Sequence, residues 1–248
     1  MPLNQLKVQY KNLNPEVLKF EVKPYGENAL FLEFGNEISE TIHLQVKHIY
    51  KELRLHAHLG IVSVIPSYCG LTVLFEPKKI SKYEVVNICQ ELSEKKVDQN
   101  KSYNRIIIPV CYDELFALDK FEVLEHTALS WKEIIEIHSD PEYIVYMLGF
   151  VPGFLYLGGM SSRIIIPRKE TPRLIVPKGA VAIGGNQTGV YPIEIPGGWR
   201  IIGKTPINLM SEKIGDRIEM GDRVKFEPIS LKEFKSFKGT LKRELIEY

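Results

Sequence analysis

Residues 197–205 read GGWRIIGKT, and the fold turns on how this stretch is taken. From Gly198 it fits G-x-x-x-x-G-K-[ST], the loop that holds nucleotide phosphates when it follows a strand and opens a helix. Two features count against that reading. Pro206 follows Thr205 directly, and a residue before proline is pushed out of the helical region that the loop's Thr must occupy. The four variable positions, Trp199-Arg200-Ile201-Ile202, are bulky and β-forming and suit a strand better than a tight anion nest. No apolar strand ending in Asp is present to serve as the magnesium-holding partner motif. The stretch is therefore read as a strand and a turn.

Working outward, Gly149 to Gly203 holds 11 of the 18 glycines and 6 of the 15 prolines. Glycine permits positive φ and close backbone approach, and proline fixes turns, so the segment specifies rigid irregular backbone. From Tyr143 to about residue 229 no helical period exceeds two turns. Short apolar runs (YIVYML, RIIIP, RLIVP, AVAIGG, WRIIG, RVKFEP) alternate with Gly and Pro, which predicts a closed β-barrel or sandwich. Before it, Arg105–Val110 reads as a strand. The pairs Asp119/Glu122 and Ser130/Glu133 read as capping boxes opening two short helices.

The N-terminal part differs in kind. After a loose leader at residues 1–18, residues 20–22 and 29–34 read as strands around the turn Pro24–Asn28. Ile42, Val46, Ile49 and Leu53 share one helical face, so 38–57 is predicted helical. Residues 61–65 and 71–75 are strands, and Ser81/Glu84 caps a second helix carrying Val85, Cys89 and Leu92. This order predicts a two-layer α+β domain. The charged stretch 93–104 (SEKKVDQNKSYN) marks the boundary, with domains at 19–100 and 101–248.

The 248 residues carry a net charge of only +1, which points to no global nucleic-acid partner. No apolar run approaches membrane-spanning length, and the N-terminus lacks a signal-peptide core. Cys69, Cys89 and Cys111 form no CxxC pair and are expected reduced, as in a cytoplasm.

Several stretches carry a family resemblance: GFVPGFLYLGG (149–159), TPRLIVPKGAVAIGGNQTGVYPIEIPGGWRIIGKTP (171–206), IPVCYDE (108–114), PYGENALFLEFG (24–35) and GIVSVIPSYCGLTVLFEP (60–77). They resemble the allophanate hydrolase subunit 1 family. That family includes the B subunit of bacterial ATP-dependent 5-oxoprolinase and an inhibitor of a sporulation histidine kinase. In it GGWRIIGKTP is a strand-and-turn signature, with Arg more common at the Lys204 position. The resemblance, over residues 19–227, implies a ferredoxin-like α+β domain followed by a cyclophilin-like β-barrel. Two departures are Tyr112–Leu115, where the family has a Gly-rich turn, and Gly26-Glu27, where it has Gly-Asp.

Between Gly149 and Lys204, seven basic residues face two acidic ones. A local basic excess on a rigid scaffold suits an anion. Arg grips a carboxylate with two parallel bonds, which makes Arg168 and Arg173 the first candidates. Tyr191 and Trp199 flank the Pro192–Pro196 segment as candidate pocket walls, and Gln187 in a Gly-bounded turn offers groups that orient an amide. With Lys204 and Thr205 these complete the expected substrate-binding set, bordering one pocket. Phe154 is expected in the core. All six histidines lie at or before His138, so a His-based metal site or Cys-His nucleophile within the region after Gly149 is excluded. His126 and His138 are read as packing residues, and His56 and His58 as surface. No metal ligands and no complete catalytic set are found.

The resemblance implies a chain active only in complex with two further subunits of 5-oxoprolinase. These are its A subunit and its C subunit, the latter similar to allophanate hydrolase subunit 2. The implied reaction opens 5-oxo-L-proline to L-glutamate with hydrolysis of ATP. Two alternatives share the scaffold: a regulator that docks on a histidine kinase, and part of an enzyme that hydrolyses allophanate in urea metabolism.

Overall fold

The computed structural model describes residues 20–56, 59–95, 102–210 and 218–247. The leader expected at 1–18, His58 and the middle of the boundary stretch lie outside these residues. The chain separates into two compact units, Met1–Gln99 and Asn100–Tyr248.

The first unit runs β1 (Glu21–Pro24), β2 (Ala29–Glu33), α1 (Glu40–Leu55), β3 (Ile61–Pro66), β4 (Gly70–Phe75) and α2 (Lys82–Glu94). Its sheet has the order β1-β2-β4-β3, and every pair is antiparallel. The β1–β2 turn contains Gly26 at φ 79°, a conformation glycine adopts without steric cost. Helix α1 buries Ile42, Val46, Ile49 and Leu53, the face set by their 3.6-residue period. The Ser81/Glu84 capping box is present. Burial pushes the Cys89 thiol up to about 12, which leaves it an unreactive core side chain.

The second unit begins with β5 (Ser102–Val110), α3 (Lys120–Thr127), α4 (Trp131–Ser139), β6 (Glu142–Leu148) and β7 (Leu155–Gly158). It continues with β8 (Arg173–Val176), β9 (Ala180–Gly184), β10 (Gln187–Val190), β11 (Ile195–Gly197) and β12 (Arg200–Lys204). It ends in β13 (Arg223–Pro228), a short helix α5 (Leu231–Ser236) and β14 (Lys242–Glu247). Eight strands form one sheet in the order β12-β9-β10-β7-β6-β13-β5-β14, while β8 and β11 pair with each other. Within the large sheet only β13 and β5 are parallel. Ile106, Ile108, Leu155, Leu157, Val181, Ile183, Ile202, Val224 and Phe226 fill the core beneath it, with Val123 of α3 and Ile134 of α4 packed in.

The expected barrel is not closed among the described residues. Strands β12 and β14 are the sheet's edges. Their junction is limited because β14 occupies the free side of β5 from Ser102 to Ile107. Only the residue after β5 reaches β12: Cys111 and Lys204 exchange two backbone hydrogen bonds of 2.9 and 3.0 Å. The mixed α+β class holds, as a set of sheets with helices rather than a sealed barrel.

GGWRIIGKT ends β11 and forms the antiparallel β12, and no helix starts between Lys204 and Met210. The phosphate-loop pattern is therefore coincidental here. Among the described residues no helix is long and apolar enough to cross a membrane.

Candidate functional site

The Gly-rich segment makes room for aromatic rings. A Cβ on Gly184 would lie 2.6 Å from Trp199 Cδ1, and one on Gly189 3.1 Å from Trp199 Cζ3. The indole therefore lies flat across β9 and β10, where any side chain would displace it. Gly197 similarly leaves space for the Tyr191 hydroxyl. Phe154 is the hub of the cluster. Its ring meets Trp199 at 5.6 Å and 74°, Tyr191 at 5.2 Å and 84°, and Tyr156 at 4.8 Å. The edge-to-face pairs are the arrangement aromatic quadrupoles favour.

These rings, with Phe150, wall a cavity of 380 Å³ whose polar side is formed by Arg168 and Lys169. The Arg168 guanidinium lies 5.6 Å from the Trp199 ring centroid and donates to Gln187 Oε1 at 3.4 Å. Burial holds the Tyr156 and Tyr191 hydroxyls above the ordinary phenol range, although the charge of Arg168 pulls both the other way. Both hydroxyls stay protonated at neutral pH. The cavity thus offers apolar walls, the cations of Arg168 and Lys169 and two neutral hydroxyls, a set that binds and orients a small anionic molecule.

Part of the basic excess of this segment is neutralised from the start of α3. Asp119 is 1% exposed. It accepts from the Ile201 backbone N–H at 2.7 Å, from Lys169 Nζ at 2.9 Å and from Arg173 Nη1 at 3.0 Å. Glu122 takes Lys169 at 2.6 Å and pairs with Arg200 Nε at 2.7 Å. A second cavity of 560 Å³ lies against this ion-pair group and shares Arg168 and Lys169 with the first.

The expected single pocket is therefore divided. Arg168, Tyr191 and Trp199 line the aromatic cavity, and Gln187 is reached through Arg168. Arg173 is turned onto Asp119, because a buried carboxylate left unpaired is costly. Lys204, at the end of β12, lies 5.6 Å over the Phe116 ring. Thr205 is buried, its backbone N–H bonded to Gly179 and its Oγ1 accepting from Ile207. Neither of the last two borders the cavity. Phe154 is buried as expected, and its ring also lines the cavity.

The reading of Asp119/Glu122 as a capping box is also corrected: Asp119 precedes α3 without a side-chain cap bond, because its carboxylate is spent on Lys169, Arg173 and Ile201. These partners lie 50 to 82 residues away, beyond any local signal. Ser130/Glu133 does form a capping box.

His138 is fully buried beneath the sheet. Thr188 Oγ1 donates to Ala182 O and therefore accepts from His138 Nε2 at 2.8 Å. His138 Nδ1 in turn accepts the Tyr112 hydroxyl at 2.8 Å. Burial lowers this histidine to about 3. It is a neutral packing residue in a satisfied network, stacked on Phe226. Among the described residues no three His, Cys, Asp or Glu side chains converge as for a metal ion.

The profile of a carboxyltransferase domain, subdomain C and D, matches residues 20–216. The chain is 39% identical over 234 residues to the B subunit of 5-oxoprolinase from Bacillus subtilis (strain 168), covering 89% of this chain and 98% of that one. It is 35% identical over 205 residues to the corresponding B subunit from Escherichia coli O157:H7, covering 82% and 93%. The crystal structure of TTHA0988 superposes with a TM-score of 0.71 at 30% identity over 82% of this chain. This chain spans 40% of the length of that solved chain.

Proposed function

The chain belongs to the family of 5-oxoprolinase B subunits, also called the allophanate hydrolase subunit 1 family, and from that membership we propose that it is the B subunit of an ATP-dependent 5-oxoprolinase. In this reading it works with the A and C subunits in the cytoplasm, opening 5-oxo-L-proline to L-glutamate. The observation that carries it is the 39% identity to a named B subunit across 98% of that protein.

The aromatic cavity is the substrate site in this reading. The five-membered ring packs on Phe154 and Trp199, and the carboxylate faces Arg168. The protonated hydroxyls of Tyr156 and Tyr191 donate to ligand oxygens. A lactam is stable, and ATP supplies the activation of its oxygen in the assembly. Binding energy collected on ring and carboxylate then orients the amide for that step. No Ser, Cys, His, Asp or Glu lines this cavity, which supports completion of the active site by the partner subunits.

The strand order of the first unit supports a ferredoxin-like reading. The run β2-α1-β3-β4-α2 supplies three strands, and β1 takes the outer place that a strand after α2 holds in the unpermuted fold. We read the second unit as the family's cyclophilin-like domain, incompletely sealed.

The test is glutamate formation from 5-oxoproline and ATP by the A and C subunits with and without this chain. Formation that depends on the chain is expected. Equal formation without it, or none with it, would overturn the reading.

A further inference from the structure

Phe150 keeps a backbone conformation that folding alone does not favour. Its φ is 66°, and it is one of two non-glycine residues with positive φ among those described. The Val151 N–H bonds to Gly149 O at 2.8 Å, closing a three-residue γ-turn centred on Phe150. The positive-φ form of that turn is rare and strained, and a bulky side chain is an outlier there. Nor does burial of the ring offset the strain, because Phe150 is 58% exposed. The turn directs this ring to the aromatic cavity, which it lines, edge-on to Phe154 at 5.6 Å and 83°. Strain of this kind persists where the surroundings impose it, and it concentrates at ligand clamps.

We propose that Phe150 is a ligand-contacting residue, whose ring forms the outer wall of the cavity over a small ring carboxylate held at Arg168. This rests on the cavity being the substrate site under the proposed function. A ring carboxylate fits because its carbons match the apolar walls and its single charge matches Arg168. The strained turn serves to hold an aromatic surface in water, ready to be covered by the ligand ring.

The test uses the whole chain, with 5-oxo-L-proline and cyclopentanecarboxylate as probes. The second has ring and anion but no amide. Binding is read from tryptophan fluorescence, since Trp199 lines the cavity. Phe150→Gly and Phe150→Asn, two residues that accept positive φ, are compared with Phe150→Tyr, which keeps the ring. The expected result is a melting temperature for Phe150→Gly at or above wild type, with affinity for both probes reduced about tenfold, the scale of one aromatic contact. Phe150→Tyr retains wild-type affinity. Unchanged affinity in both ring-less variants overturns the proposal, as does absence of probe binding to the wild-type chain at millimolar concentration. A lowered melting temperature for both Phe150→Gly and Phe150→Asn also overturns it, since the ring would then be a packing element. Glutamate formation separates the two levels. Probe binding lost in the ring-less variants while the wild-type assembly makes no glutamate refutes the 5-oxoprolinase reading and keeps the ring-carboxylate site. An active assembly with wild-type KM in Phe150→Gly does the reverse.

Discussion

Arg168 and Arg173 are five positions apart and carry the same side chain, yet their surroundings assign them different work. Arg173 neutralises Asp119, whose side chain has no exposed surface, so Arg173→Ala leaves part of a buried charge unpaired. Removing one partner of a buried pair costs about 3–5 kcal/mol. Lys169 and the Ile201 N–H remain on Asp119, which lowers the expected loss to about 2 kcal/mol, measured by urea unfolding. Arg168→Ala leaves only Gln187 and the Trp199 face without a partner. It is expected to unfold within about 0.5 kcal/mol of wild type, while raising KM for 5-oxoproline roughly ten- to a hundredfold. Exchanged phenotypes would refute this division.

At the same scale, His138 makes stability depend on pH. Its value in the fold is about 3, whereas in the unfolded chain it titrates near 6.5. The unfolded chain therefore binds the extra proton between these values. Stability is full above about pH 6.5 and declines as pH falls toward 3, by up to about 1.4 kcal/mol per pH unit. Denaturant unfolding from pH 7 to 5 should show this slope, and His138→Gln should flatten it.

At the scale of elements, the glycines of β9 and β10 are structural complements of Trp199. Gly184→Ala would set a methyl 2.6 Å from the indole, and Gly189→Ala one 2.7 Å from the Leu155 carbonyl. Overpacking of this kind costs about 1–3 kcal/mol. The Gly189 variant should lose more, because backbone yields less readily than a ring. Thermal melts give the order, and a shifted Trp199 emission in Gly184→Ala identifies the displaced ring. Elements with strong local chemistry are legible in the sequence. Helix α1 follows from its apolar period, and Ser81/Glu84 and Ser130/Glu133 from reciprocal bonds within one turn. Helix α5 carries the same local signal in its Ser230/Glu233 capping box, whereas strand β14 has none. β14 (KRELIE) is almost wholly exposed, so no buried face imposes an alternating pattern, and its pairing with β5 joins residues more than a hundred positions apart.

For the whole molecule, the expected behaviour is dependence on partners. The purified chain should form no glutamate from 5-oxoproline and ATP, and mixing with the A and C subunits should yield a stable complex on size exclusion that does. Turnover by the chain alone would show that a complete catalytic set exists within it. The family and the α+β class were determined by the sequence itself, because Gly, Pro and Trp at set spacings constrain backbone locally and leave few alternatives. The strand nature of GGWRIIGKT was legible for the same reason, in Pro206 and four β-forming residues. Only the tertiary structure decided which cations are available to a ligand. Asp119 and Glu122 lie outside the basic segment and reach Lys169, Arg173 and Arg200 across the fold. A charge pair depends on distance in space, and residue spacing along the chain does not record it. The strained turn at Phe150 and the incomplete closure between β12 and β14 are likewise products of long-range packing.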